Sequence, residues 1–177
     1  NWSQWKQFNS DMALGLYMRK PEIAEMKPEK HYEELLRKNL ELLTNQISSH
    51  PETTFYIFVP PYSMLWWDST YRDGDTESYL YNMEQAIITL LAYDNVKFFY
   101  FQNDREIITN LENYMDTLHF SQDINHYICN CLIEGSHEIT EENYRETMED
   151  MRALAYEIPE TLITPYEDRL HYEVPAE

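Results

Sequence analysis

Thr53-Thr54-Phe55-Tyr56-Ile57-Phe58-Val59-Pro60-Pro61 is the stretch that decides the fold. Seven β-branched and aromatic residues in succession describe a strand covered on both faces, because a half-solvated strand would alternate apolar with polar. Pro60 and Pro61 end it, since proline has no N–H to give a ladder. A second run, Val96-Lys97-Phe98-Phe99-Tyr100-Phe101, has the same character. Between the two, Thr76 with Glu77 opens a helix whose apolar face is Leu80, Met83, Ile87, Leu90 and Leu91. Strand, helix and strand at this spacing predict a βαβ unit, with parallel strands and a right-handed crossover.

Outward from that unit the pattern weakens. Tyr32, Leu35, Leu36, Leu40, Leu42, Leu43 and Ile47 recur at helical spacing, which predicts an amphipathic helix over 29–48. Residues 1–28 read as aromatic and irregular, with Pro21 and Pro28 opposing a long helix. Residues 64–75, with Trp66, Trp67 and Asp73-Gly74-Asp75, read as a loop. Downstream, Ser121 is placed to cap a helix carrying Ile124, Tyr127, Ile128 and Leu132, which Gly135 stops. Thr140 with Glu141 and Glu142 opens another, containing Tyr144, Met148, Met151 and Ala155. Past Pro159 a proline- and acid-punctuated tail is expected.

Composition excludes several functions. A chain of 177 residues can bury one sizeable core. Its net charge of −19 opposes nucleic acid, which needs clustered Lys and Arg, and anionic lipid equally. Three glycines, in no phosphate-cradling pattern, argue against a nucleotide cofactor. Cys129 and Cys131 are two apart on a predicted helix, so they diverge and do not pair. No apolar run approaches ~18 residues.

Asp116-Thr117-Leu118-His119 carries the chemistry. An aspartate three residues before a histidine, between a strand and a capped helix, brings a carboxylate to an imidazole. The carboxylate fixes the ring's tautomer and stabilises the imidazolium, which is the base half of a serine-hydrolase triad. Ligands of parallel sheets bind beyond the carboxyl ends of the strands, where Tyr62, Ser63, Gln102 and this loop should converge. No Gly-Asp-Ser or Gly-x-Ser-x-Gly accompanies the pair. Ser63 lacks the glycine that a nucleophile elbow needs, so it is expected to line the substrate pocket with Tyr62. Trp66, with Trp67, is a candidate platform for a sugar or acyl group. His119, Asp123 and His126 would share a face only if the helix began before Ser121, so no metal site is expected.

The order Val59-Pro60-Pro61-Tyr62-Ser63, helix, strand, Asp116-x-x-His119 and helix resembles the later part of an SGNH/GDSL-type serine hydrolase, over about residues 50 to 150. The fuller strings, Phe58-Val-Pro-Pro-Tyr-Ser63 and Asn113-Tyr-Met-Asp116-Thr-Leu-His119-Phe-Ser121, are similar to SGNH-like proteins of Gram-positive bacteria, usually preceded by a membrane anchor.

The resemblance implies a partial three-layer α/β/α fold with a parallel, flavodoxin-like sheet lacking its N-terminal strands. Residues 1–158 would be the C-terminal portion of one domain and 159–177 a tail. It implies acyl esters of cell-envelope glycans as substrates, no cofactor, and an extracellular or envelope location. The blocks that carry the serine, the oxyanion-hole glycine and the Gly-x-Asn-Asp element have no counterpart here, so they would precede Asn1 and the chain alone would be inactive. A missing N-terminal half or another chain would then pair the open sheet edge. The alternative expectation is a binding or structural module with a vestigial site engaging a protein or glycan.

Overall fold

The computed structural model describes residues 7–174, so the aromatic opening with Trp2 and Trp5 lies outside the described residues. The protein is a mixed helix–strand α/β structure built around the predicted unit. Strand β2 (Phe55–Val59) leads into helices α3 (Met64–Arg72) and α4 (Thr76–Leu91), then into β3 (Val96–Tyr100). β2 and β3 pair in parallel, Phe55 opposite Val96 and Val59 opposite Tyr100. A third strand, β4 (Glu138–Ile139), runs antiparallel beside β3 and gives the order β2-β3-β4. Helix α2 (Glu33–Ser49), entered through a 3₁₀ turn at Glu29–Tyr32, precedes the sheet.

Period-two alternation on β3 sorts the interior into two halves. Phe98 and Tyr100 join Ile47, Ile87, Leu90 and Met151 in the larger core. Phe99 and Phe101 point the other way, onto Ile124, Ile128 and Cys131 of α6 (Gln122–Glu134). β2 departs from expectation, because Tyr56 is 51% and Phe58 42% exposed. Among the described residues it is the edge strand, and the cluster under α6 takes its strand residues from β3, so one face of β2 stays uncovered there.

Three segments read as irregular are ordered. Residues 64–72 form α3 because Met64, Leu65, Trp67, Asp68 and Thr70 are buried on one face at helical spacing, a face that polar Asp68 and Thr70 keep from reading as an apolar stripe. Asp68 accepts from Tyr17 Oη at 2.7 Å, Arg19 Nε at 2.8 Å and Arg19 Nη2 at 2.9 Å, so a buried charge is fully paired. Those partners come from the segment expected to be irregular. There α1 (Ser10–Leu16) is capped by the Asn9 side chain on Met12 N at 2.8 Å and followed by β1 (Met18–Arg19). Gly74, at φ +70°, lies so near Glu25 that any added Cβ would sit 2.3 Å from its carbonyl oxygen.

The C-terminal stretch is packed. After α7 (Tyr144–Glu157), Ile158, which opens a π turn, and Ile163, which joins that turn to a 3₁₀ turn, are fully buried. β5 (His171–Tyr172) then pairs in parallel with β1. Helix α7 begins at Tyr144 rather than at Thr140, because Asn143 occupies the cap position and its Oδ1 accepts from Thr140 N at 2.8 Å.

Candidate active site

The loop between α5 (Arg105–Ile108) and α6 carries Asp116 and His119. It is closed on itself: Met115 N donates to His119 O at 2.9 Å, Ser121 N to Asn113 O at 2.8 Å, and Tyr114 bridges Phe120. It is also fastened to the exit of β2. Buried Tyr114 donates its hydroxyl to Pro61 O at 2.8 Å. Ser63 donates to Thr117 O from both its backbone N, at 3.1 Å, and its Oγ, at 2.9 Å. The paired prolines therefore do more than end the strand: they leave carbonyls and a turn onto which the loop is hung.

Within the loop, Asp116 Oδ1 accepts from Leu118 N at 2.9 Å and His119 N at 2.7 Å. Oδ2 faces His119 Nδ1 at 2.7 Å. Partial burial pushes the Asp116 carboxyl up, but the N–H groups of His119 and Leu118 and the ring outweigh it, holding it below the usual carboxylate range. The ring itself is open to solvent, with 63% of the His119 side chain exposed against 25% for Asp116. Among the described residues Nε2 has no protein partner, and the ring lines a cleft of about 740 Å³ together with Phe8, Met115, Phe120 and Asn125. A histidine whose Nδ1 is held by a carboxylate and whose Nε2 faces an open cleft can accept a proton there.

The other expected site residues lie elsewhere. Ser63 is completely buried, and its hydroxyl is committed to Thr117 O, so it fastens the loop and faces no cleft. It stands at the cap position of α3, where the chain continues straight into helix rather than through an exposed elbow. Tyr62 is half-buried against Trp66, with ring centroids 5.2 Å apart. Trp66 is itself edge-on to Trp67 at 5.0 Å and Tyr79 at 4.7 Å. It lines a separate pocket of about 300 Å³ with Tyr32, Tyr79 and Asn82. Neither aromatic lines the His119 cleft. Ser121 occupies the cap position of α6, yet its side chain makes no capping bond. Among the described residues no three His, Cys, Asp or Glu side chains are placed to hold a metal. Cys131 is buried and Cys129 exposed, both as free thiols.

A second Asp–His pair lies across the sheet end, unannounced by any spacing. Tyr127 donates its hydroxyl to Asp104 Oδ2 at 2.8 Å and lies 3.2 Å from His137 Nε2. His137 Nε2 is also 3.3 Å from Asp104 Oδ2, and its ring stacks on Phe101 at 4.9 Å. His137 adopts φ +66°, in the left-handed region that glycine favours. Burial pushes the Asp104 carboxyl up, but His137, Tyr127 and the Ile107 N–H bring it below its usual value.

The fold and site thus define an α/β protein presenting a carboxylate-oriented histidine beside the carboxyl end of a parallel strand pair. No protein-family model, curated protein or solved structure matches the chain.

Proposed function

We propose that this chain is the C-terminal portion of an SGNH-like serine esterase or O-acyl transferase, of three-layer flavodoxin-like architecture, whose nucleophilic serine is supplied by polypeptide outside these residues. The observation that carries the reading is the Asp116–His119 pair, joined at 2.7 Å through Nδ1 with Nε2 left to an open cleft. In the reaction, the serine hydroxyl attacks an ester carbonyl while His119 Nε2 takes its proton. Asp116 orients the ring and stabilises the imidazolium. His119 then returns the proton to the departing alkoxide, and water or a sugar hydroxyl releases the acyl group by the reverse sequence. Acyl esters of cell-envelope glycans are the proposed substrates, and the envelope the proposed location, both from the sequence resemblance.

Hydrolysis of an aryl acetate by the protein in its natural full-length form tests this. His119→Ala should lower the rate about a thousandfold, as loss of a general base does. An unchanged rate in a correctly folded variant removes the reading.

A second reading has an observation of its own. Asp116 Oδ1 also satisfies Leu118 N and His119 N, so the pair has a sufficient structural reason to exist as a turn staple. On that reading the chain is a binding module, and Asp116→Asn and Asp116→Ala lower stability without altering any ester cleavage.

A further inference from the structure

Two helices that pack together ordinarily close their seam with apolar side chains. The seam between α3 and α4 is instead aromatic and polar. Trp66, Ser69 and Asp73 recur at helical spacing on the α3 side, and Asp75, Tyr79 and Asn82 on the α4 side, with the chain turning between them at Gly74. Tyr32, from the 3₁₀ turn before α2, completes the lining of a crevice of about 300 Å³. Trp66 and Tyr79 stand with ring centroids 4.7 Å apart and planes at 65°, which makes an aromatic corner. Tyr79 spends its hydroxyl on Gln102 Oε1 at 3.2 Å, so its ring is what remains for the crevice.

The charged groups of the lining are acceptors. Asp73 and Asp75 each hold a lysine through Oδ1, and Oδ2 of each makes no hydrogen bond among the described residues. Lys20 and Lys27 themselves line a neighbouring cleft with Arg72, and no Lys or Arg lines this one. The Tyr32 and Ser69 hydroxyls and the Asn82 amide can both donate and accept. Asn82 Oδ1 is buried without a partner among the described residues, so nothing pins the amide, and a half turn exchanges that oxygen with Nδ2. Lys27 shows what the rim already accepts. Its ammonium lies 5.5 Å from the Tyr32 ring centroid, donating to Tyr32 Oη at 3.0 Å and to Asp75 Oδ1 at 2.7 Å. Aromatic faces beside unspent carboxylate oxygens favour a ligand that is positively charged and donates only.

We propose that the α3–α4 crevice binds a primary alkylammonium, whose N–H groups donate to Asp73, Asp75 and Asn82 while its chain and charge lie against Trp66, Tyr79 and Tyr32. The site does not rest on the catalytic reading, because neither Trp66 nor Tyr79 lines the His119 cleft.

The test titrates n-butylammonium into the isotope-labelled protein at about 0.15 M salt, which screens diffuse attraction to an acidic surface. The Trp66 indole, Tyr79 and Asn82 side-chain resonances should move together and saturate. n-Butanol, which has the same chain without the charge, should bind about tenfold weaker, as should butyrate. Asp73→Asn combined with Asp75→Asn should cost about tenfold in affinity. Tyr32→Leu removes a half-buried ring without disturbing the contact of Trp66 with Tyr79, and should cost about fivefold. Nα-acetyl-lysine methylamide binding tighter than butylammonium identifies the source of the cation as a lysine side chain, and the reverse order a free amine; either supports the site. Three results overturn the proposal: shifts that spread over the acidic surface without saturating, butanol binding as tightly as butylammonium, or unchanged affinity in the folded double variant.

Discussion

Among the described residues there are two aspartate–histidine pairs, and they are opposites. Asp116 and His119 sit three residues apart on one loop, touch through Nδ1, and leave Nε2 to a cleft. Asp104 and His137 come from the end of β3 and the turn after α6, and both are largely enclosed. In the second pair Nε2 is already taken by Asp104 and Tyr127, while Nδ1 is buried without a hydrogen-bond partner among the described residues. Proximity of carboxylate to imidazole is therefore no guide to chemistry. What separates a proton acceptor from a structural tie is which ring nitrogen is consumed and which faces solvent.

Substitutions sharpen the contrast. The largest effect is expected at the open pair: besides the loss of activity of about a thousandfold, His119→Ala should leave chemical-denaturation stability within about 0.5 kcal/mol of the parent, as for other exposed positions. The enclosed pair should behave inversely. Asp104→Ala removes the acceptor of Tyr127 Oη, the partner of His137 and the cap on Ile107 N, so urea unfolding should show a loss of about 3 kcal/mol with ester cleavage per folded molecule unchanged. Comparable losses of activity at both pairs would break the distinction. Tyr127→Phe deletes a single hydroxyl between Asp104 and His137 and should cost about 1 kcal/mol.

The smallest and most graded difference is in acid. Both aspartates have folded values below their ordinary ones, so their contribution is complete above the ordinary carboxylate value of about 4 and is lost as pH falls through the lowered values. Asp104→Asn should flatten the acid limb of a melting-temperature profile more than Asp116→Asn, because the enclosed carboxylate is less shielded by water. Equal flattening would count against the contrast.

The two pairs also differ in how visible they are in the sequence. Asp116-x-x-His119 is local, so spacing alone brings the side chains within reach, and the strand before it sets its place at the sheet end. Asp104 and His137 are joined only by the return of α6 across β3, which no local pattern encodes. The same reasoning separates the elements. The β2–α4–β3 unit was readable because continuous β-branched and aromatic runs and a 3.6-residue stripe are strong signals. α3 was hidden because its buried face includes polar Asp68 and Thr70, and β4 because two residues carry no period. Ser63 was visible as a residue just past a strand, but not as a buried donor, since its partner Thr117 belongs to a distant loop.

The ladder between β1 and β5 has a mechanical consequence. It joins opposite ends of the described chain as parallel strands, Met18 beside His171 and Arg19 beside Tyr172, with Glu173 N donating to Arg19 O at 3.0 Å. Tension drawn outward through the two ends would slide these strands past each other and load the ladder's bonds together, where an antiparallel hairpin would unzip one bond at a time. Arg19 carries that load to Asp68 on α3, and the first residue before α3 is Ser63, whose two donors hold Thr117. The β1–β5 ladder and the loop that carries His119 are thus tied to the two ends of one short helix.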